Sequence, residues 1–170
     1  MDIRAPEVRP PIVDHASLRQ ALGCFATGVA VITTRGDRGV PVGLTVNSFS
    51  SLSLDPPLVL WSLSLTAPSL GAFRRHDGFA VNVMGADAKQ VVQRFARPSA
   101  DKFADVAWRP GHLGLPLLDD VVATFECRTE SRIQKGDHEI YIGSVERYAR
   151  TDRSPLVFHR GRYKTLGEIL

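Results

Sequence analysis

The sequence has few cysteines, no long apolar run and no leader-like start. Its two cysteines, Cys24 and Cys127, lie far apart in apolar surroundings, which is typical of two buried thiols in a reducing cytosol rather than of a disulfide framework. No stretch approaches the ~20 consecutive apolar residues that a membrane-spanning helix needs. Residues 1–14 are rich in proline and charge and lack the apolar centre of a signal peptide. These absences predict a cytoplasmic protein with no membrane association.

Motifs that mark several common enzyme and binding classes are absent as well. There is no Gly-x-Gly-x-x-Gly after a strand, no Gly-x-x-x-x-Gly-Lys-Ser/Thr and no Gly-x-Ser-x-Gly, which argues against a Rossmann site, a P-loop and a hydrolase nucleophile. The five histidines, at positions 15, 76, 112, 138 and 159, lack paired metal-ligand spacing, so we expect no metal. The net charge is only +3 and the arginines are scattered, so we expect no nucleic-acid partner.

The most informative part of the chain is the stretch 43–57. Aliphatic residues alternate there with small or polar ones, which predicts a strand with one buried face; they are Val40, Val42, Leu44 and Val46. A serine-rich run follows, and Pro56-Pro57 closes it, because proline cannot donate to a sheet. Backbone N–H groups, hydroxyls and an amide at a strand end suit phosphate oxygens or the polar edge of a flat heterocycle. A serine-rich loop that binds nothing is the other interpretation that these residues leave open.

This stretch resembles the signature of the flavin reductase-like family, the small reductase components of two-component flavin-dependent monooxygenases. The shared pattern is Gly43-x-Thr45-x-Asn47-Ser48-Phe49-x-Ser51-x-Ser53-x-x-Pro56-Pro57. The similarity extends from about Leu18 to Leu166. It includes Asp101-Lys102-Phe103, Gly136-Asp137-His138 and Pro155-Leu156-Val157-x-His159-Arg160-Gly161-x-Tyr163.

The resemblance implies both a fold and an activity. The fold would be mainly β with peripheral helices, a split β-barrel of Greek-key antiparallel strands that forms a homodimer with the flavin near the subunit contact. The activity would be that of an NAD(P)H:flavin oxidoreductase, which transfers hydride from NADH or NADPH to FMN or FAD and supplies reduced flavin to a separate monooxygenase. A non-catalytic flavin- or haem-binding split barrel is the alternative. Which flavin and which nicotinamide are used is left open, because no ribose-reading acid or 2′-phosphate arginine is identifiable.

The resemblance also implies the residues of the site. The cofactor-binding candidates are Thr45, Val46, Asn47, Ser48, Ser51, Ser53, Ser62, Ser64, Ser69, Lys102, Phe103, His138, His159 and Arg160. The amide of Asn47 matches the polar edge of a flavin, and the ammonium of Lys102 suits its phosphate or its reduced ring. His138 would lie on the nicotinamide side, and we expect no acid, base or nucleophile. Good turn chemistry accounts equally for Gly136-Asp137, and His159 and Arg160 could instead tie the C-terminus to the barrel.

The local patterns predict the order of the elements. We expect a flexible arm over 1–13 and one domain over 14–170. Asp14 is expected to cap a helix over 16–25, and Val121 to Ile133 is expected to be a strand with a wet face that carries Thr124 and Glu126. The remaining predictions are helices over 69–75 and 86–97, a turn over 99–103, a loop over 111–116, and strands over 28–34, 58–64, 78–84, 139–148 and 157–166. Short strands joined by hairpin turns are typical of an antiparallel barrel.

Overall fold

The computed structural model describes residues 13–99 and 101–167. The predicted arm therefore lies outside the described residues, apart from Val13. The helices are α1 His15–Leu22, α2 Leu70–Arg75 and α3 Lys89–Ala96. The strands are β1 Thr27–Gly28, β2 Ala30–Arg35, β3 Pro41–Val46, β4 Ser50–Leu54, β5 Pro57–Ser64, β6 Gly78–Met84, β7 Trp108–Pro110, β8 Pro116–Leu118, β9 Val121–Lys135, β10 His138–Arg150, β11 Val157–His159 and β12 Arg162–Lys164.

Three antiparallel sheets carry the fold. The largest has seven strands in the order β3-β2-β6-β9-β10-β5-β4, and the others are β1-β11-β12 and β7-β8. The long pair β9 and β10 forms its centre, with β6 and β5 on either side. The prediction of a mainly β, antiparallel protein with a few helices is confirmed. In the part of the chain described, no helix is both long and apolar enough to cross a membrane.

Local chemistry explains where several elements begin and turn. The Asp14 carboxylate accepts hydrogen bonds from the backbone N–H groups of Ala16 and Ser17, as predicted for the start of α1. The β2–β3 hairpin turns through a 3-10 turn in which Arg38 and Gly39 have positive φ. Gly136 has a φ of +59° between β9 and β10, a conformation that glycine adopts without steric cost.

The main core lies inside the seven-stranded sheet and is rich in aromatic rings. The fully buried Trp61 of β5 stacks on Tyr141 of β10 with ring centroids 4.6 Å apart, and Phe73 of α2 meets Trp61 edge-on at 5.0 Å. Phe79 occupies the space above Gly143, where an added Cβ would lie 2.4 Å from its ring. Burial of these large side chains supplies most of the hydrophobic stabilisation of the sheet.

Two predictions about the signature stretch are wrong in detail. The serine-rich run is a strand, β4, because residues 50–54 pair with β5 rather than forming a loop. Strand β3 does not bury one face only. Val40 is 58% exposed and precedes the strand, whereas Gly43, on the face predicted to be open, is buried under α3.

The predicted wet face of β9 is also wrong over its first half. Thr124 and Glu126 are buried, whereas Ile133, predicted to lie on the opposite face of the strand, is 47% exposed. The reason is a hairpin that the sequence did not reveal. Strands β7 and β8 flank a 3-10 turn where a loop was expected, and Gly111 lies against the Glu126 carboxylate. Cys127 is buried as predicted, but Cys24 is exposed at the end of α1.

Candidate cofactor site

A groove of about 1170 Å³ opens beside the signature strand. Strand β3 forms its floor, α3 and the turn after it form one wall, and the segment between β5 and α2 forms the other. Its lining comprises residues 40–45, 67–69, 95–99, 101–104 and Trp108. This volume exceeds the ~300–1000 Å³ of typical small-molecule sites.

The floor of the groove depends on the close approach of α3 to β3. Gly43 has no side chain, and a Cβ there would lie 2.7 Å from the Phe95 ring. The Thr45 hydroxyl donates to the backbone carbonyl of Val92, at 2.7 Å. Helix α3 buries Val92 and Phe95, which form the apolar face of an amphipathic helix. The glycine and the threonine of the signature therefore place the helix, and the threonine oxygen keeps its capacity to accept a further hydrogen bond.

Lys102 joins the α3 wall of the groove to its floor. Its ammonium donates to the carbonyl of Phe95 at 2.9 Å and to the carbonyl of Gly43 at 3.3 Å. The turn that carries it is fixed by Asp101, whose carboxylate accepts from the N–H groups of Phe103 and Ala104. Partial burial lowers the pKa of Lys102. Two of its three N–H donors are used on backbone carbonyls, which leaves one donor and the positive charge at the groove.

A column of aromatic rings follows the wall from the inside to the mouth. Phe95 and Phe103 meet edge-on at 4.9 Å, and Phe103 meets Trp108 at 5.8 Å and 74°. Phe95 and Phe103 are buried, whereas Trp108 is 39% exposed. The wall is thus apolar along its length, as a flat aromatic ligand would require.

A second group of predicted residues lies together at the far end of β5. The Ser48 hydroxyl accepts from the backbone N–H of Ser62 at 3.0 Å, and the Ser64 and Thr66 hydroxyls are 2.9 Å apart. His138 lies opposite Ser64 in the β5–β10 register. Its Nδ1 is 2.7 Å from the Asp137 carboxylate, and that hydrogen bond lowers the pKa of Asp137.

This second group contacts the groove through one backbone segment. The N–H of Leu65 donates to the carbonyl of Asp137 at 2.9 Å, and the N–H of Ala67 donates to the carbonyl of Ser64. Ala67 and Ser69 then line the groove. Backbone hydrogen bonds therefore connect the tip of the β9–β10 hairpin to the groove wall.

The remaining predicted residues lie elsewhere. Val46 is in the main core, Asn47 is exposed after β3, and Ser51 and Ser53 lie on the edge strand β4. His159 ends β11, and the N–H of Arg160 donates to the carbonyl of Gly23 at 2.8 Å. Of the predicted set, the groove brings together Thr45, Ser69, Lys102 and Phe103.

Sequence reasoning missed Gly43 as a packing position and Trp108 as a lining residue. Only the collision of a Cβ with Phe95 explains the glycine, and Trp108 lies in the β7–β8 hairpin that no local pattern revealed. Among the described residues, no three His, Cys, Asp or Glu side chains gather as a metal site requires. The groove offers apolar walls, the ammonium of Lys102 and the guanidinium of Arg97.

Comparison with known proteins identifies the family of this chain. The family model described as "Flavin reductase like domain" matches residues 22–167. The reductase component of a flavin-dependent trigonelline monooxygenase from Acinetobacter baylyi is 43% identical over 87% of this chain and 48% of that protein. FMN reductase (NADH) SmoA from Agrobacterium fabrum is 43% identical over 86% of this chain and 83% of its own length. The structure of NADH:FAD oxidoreductase SgcE6 from Streptomyces globisporus, in complex with NAD and FAD fragments, is 36% identical, covers 93% of this chain and 98% of that chain, and superposes with a TM-score of 0.86.

The similarity to the family and to the longer relatives is that of a single domain. The chain spans about half the length of the Acinetobacter baylyi relative, so similarity reaches only part of that protein. The family model nonetheless covers the signature strand, the groove and the β9–β10 hairpin together. The chain therefore belongs to the flavin reductase-like domain family.

Proposed function

We propose that this chain is an NAD(P)H:flavin oxidoreductase that reduces FMN or FAD with NADH or NADPH and supplies reduced flavin to a separate monooxygenase. The observation that carries the proposal is the groove, where the signature strand and Lys102-Phe103 meet in one site. A relative named FMN reductase (NADH) and a neighbouring structure named NADH:FAD oxidoreductase support it. Relatives named as monooxygenase reductase components support the partner.

The groove suits a flavin. It has an apolar wall for a flat ring, the ammonium of Lys102, and hydroxyl and backbone groups along one edge. When bound, a flavin supplies the hydride-accepting ring and a nicotinamide supplies the hydride. Thr45 and the β3 backbone would orient the polar edge of the ring, and Lys102 would offset negative charge on it. Phe95 and Phe103 exclude water from the wall, so each electrostatic contact is stronger than it would be in water.

His138 and the serines form the other part of the proposal. We assign His138 to the nicotinamide side and Ser62, Ser64 and Ser69 to the flavin phosphate. The link through Ser64 and Ala67 to the groove wall supports this assignment. The N–H of Arg160 donates to the carbonyl of Gly23 at the end of α1, which favours a role for Arg160 and the adjacent His159 in tying the C-terminal sheet to the rest of the fold.

The proposed architecture is a split barrel. Strands β3 and β4 lie at opposite ends of the seven-stranded sheet, yet only residues 47–49 separate them in sequence. Six strand spacings in a flat sheet would put these edges ~29 Å apart, whereas four residue steps span at most ~14 Å. The sheet must therefore curl where the edges meet. Phe49 supports this, since its ring lies 5.6 Å from that of Phe125 in β9.

The proposed assembly is a homodimer that uses the edge strand β4. Leu52 and Leu54 on this strand are 47% and 92% exposed, and an open strand edge with apolar side chains is a ready pairing surface. Leu54→Glu should shift the molecular mass measured by light scattering toward the monomer. Leu166→Glu, at a leucine 63% exposed outside the strands, is the matched control. Equal molecular masses for the two variants would contradict the proposal that β4 forms the dimer interface. A reducing cytoplasm is the proposed location, because both cysteines are free thiols.

Anaerobic mixing tests the activity. The protein is incubated with FMN or FAD, NADH or NADPH is added, and flavin absorbance near 450 nm is followed for all four pairs. Bleaching that depends on the protein supports the oxidoreductase and names the preferred pair. Flavin binding without bleaching by either nicotinamide would replace the proposal with the non-catalytic flavin binder.

A further inference from the structure

Trp108 is a large aromatic side chain held open at the mouth of the groove. The protein has two tryptophans. Trp61 is fully buried in the main core, whereas Trp108 is 39% exposed and lines the groove. Exposing this much apolar surface costs free energy that a bound partner would recover.

The indole of Trp108 is fixed in place from two sides. Its strand pairs with β8, where Trp108 lies opposite Leu118. Its ring rests edge-on against Phe103, which rests edge-on against the fully buried Phe95. A flat ring held in this way loses little further entropy when a second ring stacks on it.

The groove is larger than a typical small-molecule site. Typical small-molecule sites occupy ~300–1000 Å³, and this groove has about 1170 Å³. Arg97 is exposed on the lining, and Lys102 lies further in. The groove therefore combines the aromatic ring of Trp108 with the cations of Arg97 and Lys102. An aromatic ring and a cation are the groups that recognise a base and its phosphates.

We infer that Trp108 stacks on the adenine ring of a dinucleotide, so that the groove prefers dinucleotides to mononucleotides. The choice of ligand class rests on the proposed function. The recognised chemistry is an adenosine diphosphate group, which FAD and NADH both carry. Trp108 is then a specificity residue, since it touches the end of the ligand that does not react.

Tryptophan fluorescence tests the contact without any flavin chemistry. ADP-ribose carries the adenosine diphosphate group and a second ribose, but neither a flavin nor a nicotinamide ring. It should quench the emission of Trp108 and protect it from acrylamide, whereas ribose 5-phosphate at the same concentration should not. Trp108→Phe should abolish both effects, because Trp61 is buried. Unchanged emission with millimolar ADP-ribose would overturn the inference.

Ligand selectivity identifies which dinucleotide stacks its adenine on Trp108. Trp108→Ala should weaken FAD binding relative to FMN, or raise the KM for NADH relative to reduced nicotinamide mononucleotide, by about 5- to 100-fold, the effect of losing one base–aromatic stack. Trp108→Phe should retain most of the preference. Tyr148→Ala, at a tyrosine 76% exposed on β10, is the control that should leave both ratios unchanged.

The outcomes separate this inference from the proposed function. If Trp108→Ala changes the ratio of FAD affinity to FMN affinity, Trp108 stacks on the flavin dinucleotide. If it changes the ratio of the KM for NADH to that for reduced nicotinamide mononucleotide, Trp108 stacks on the hydride donor. Two results would overturn the inference and leave the proposed oxidoreductase activity intact, provided that the protein reduces flavin. In one, Trp108→Ala changes neither ratio; in the other, it weakens the binding of mononucleotides and dinucleotides equally. Quenching by ADP-ribose in a protein that reduces no flavin would support the adenine site and overturn the proposed function.

Discussion

Replacing Lys102 with methionine tests whether its ammonium holds the groove together. Methionine keeps most of the length and apolar surface of the lysine stem but removes every donor. The carbonyls of Phe95 and Gly43 then lose the partner that lies 2.9 Å and 3.3 Å away. Since these carbonyls belong to α3 and β3, the substitution loosens the contact between the helix and the floor of the groove.

The expected magnitude follows from the geometry. A hydrogen bond to a charged donor contributes about 1.5–3 kcal/mol. The second bond is long, Lys102 is only half-buried, and desolvation lowers its pKa, so the ammonium already carries a cost in the folded state. We therefore expect Lys102→Met to lower the free energy of unfolding by about 2 kcal/mol. For a chain of this size that is a fall in Tm of about 4–8 °C.

Urea denaturation followed by far-UV circular dichroism, at one fixed protein concentration, measures the change. Lys89→Met, at an exposed lysine in the first turn of α3, is the matched control and should stay within about 0.5 kcal/mol of the unmodified protein. Lys102→Met should also weaken the binding of FMN, because it removes the positive charge at the groove. Equal unfolding free energies for the two variants would refute the reasoning, since the carbonyl contacts would then contribute nothing.

Three further predictions concern buried groups. Burial raises the pKa of the Cys127 thiol to about 12, so at pH 8 it stays protonated and a thiol reagent should label one cysteine in the native protein and two in denaturant; Cys24→Ser should abolish the native labelling. Gly43→Ala should cost about 1–3 kcal/mol and weaken flavin binding, because its Cβ would lie 2.7 Å from the Phe95 ring; unchanged urea midpoint and flavin affinity would contradict this packing. Asn82→Leu should lower the free energy of unfolding, measured by calorimetry, by about 2–4 kcal/mol. The buried amide of Asn82 donates to the carbonyl of Val31 in β2 and accepts from the N–H of Leu118 in β8. A loss below about 1 kcal/mol would show that these backbone groups find other partners.

The signature strand shows how far the sequence could predict the site. Its motif indicated the family, which the domain match confirms. Together with the separate Asp101-Lys102-Phe103 motif it named Thr45, Lys102 and Phe103, which line one groove. It did not predict that the Thr45 hydroxyl and the Lys102 ammonium bond to backbone carbonyls of the same wall. A motif records which residue types occur at which spacing, whereas hydrogen-bond partners from distant segments appear only in the folded chain.

Strand β9 shows why burial was predicted less well than element type. Its alternation of apolar and polar residues indicated a strand, and the strand is there. The alternation also suggested a wet face, but the β7–β8 hairpin covers Thr124 and Glu126. The hairpin strands have three residues each, too few for a periodic pattern to be recognised.

The sequence alone determined the antiparallel β character, the helix cap at Asp14, the turn at Gly136 and the family, because each depends on neighbouring residues or on a fixed spacing. The tertiary structure alone decided that Gly43 must lack a side chain, that Lys102 bridges two carbonyls and that Trp108 stands at the mouth of the groove. The physical reason is that periodicity and turn chemistry act over a few residues, whereas a groove is made where segments distant in sequence pack together, and which groups then face each other depends on all of them at once.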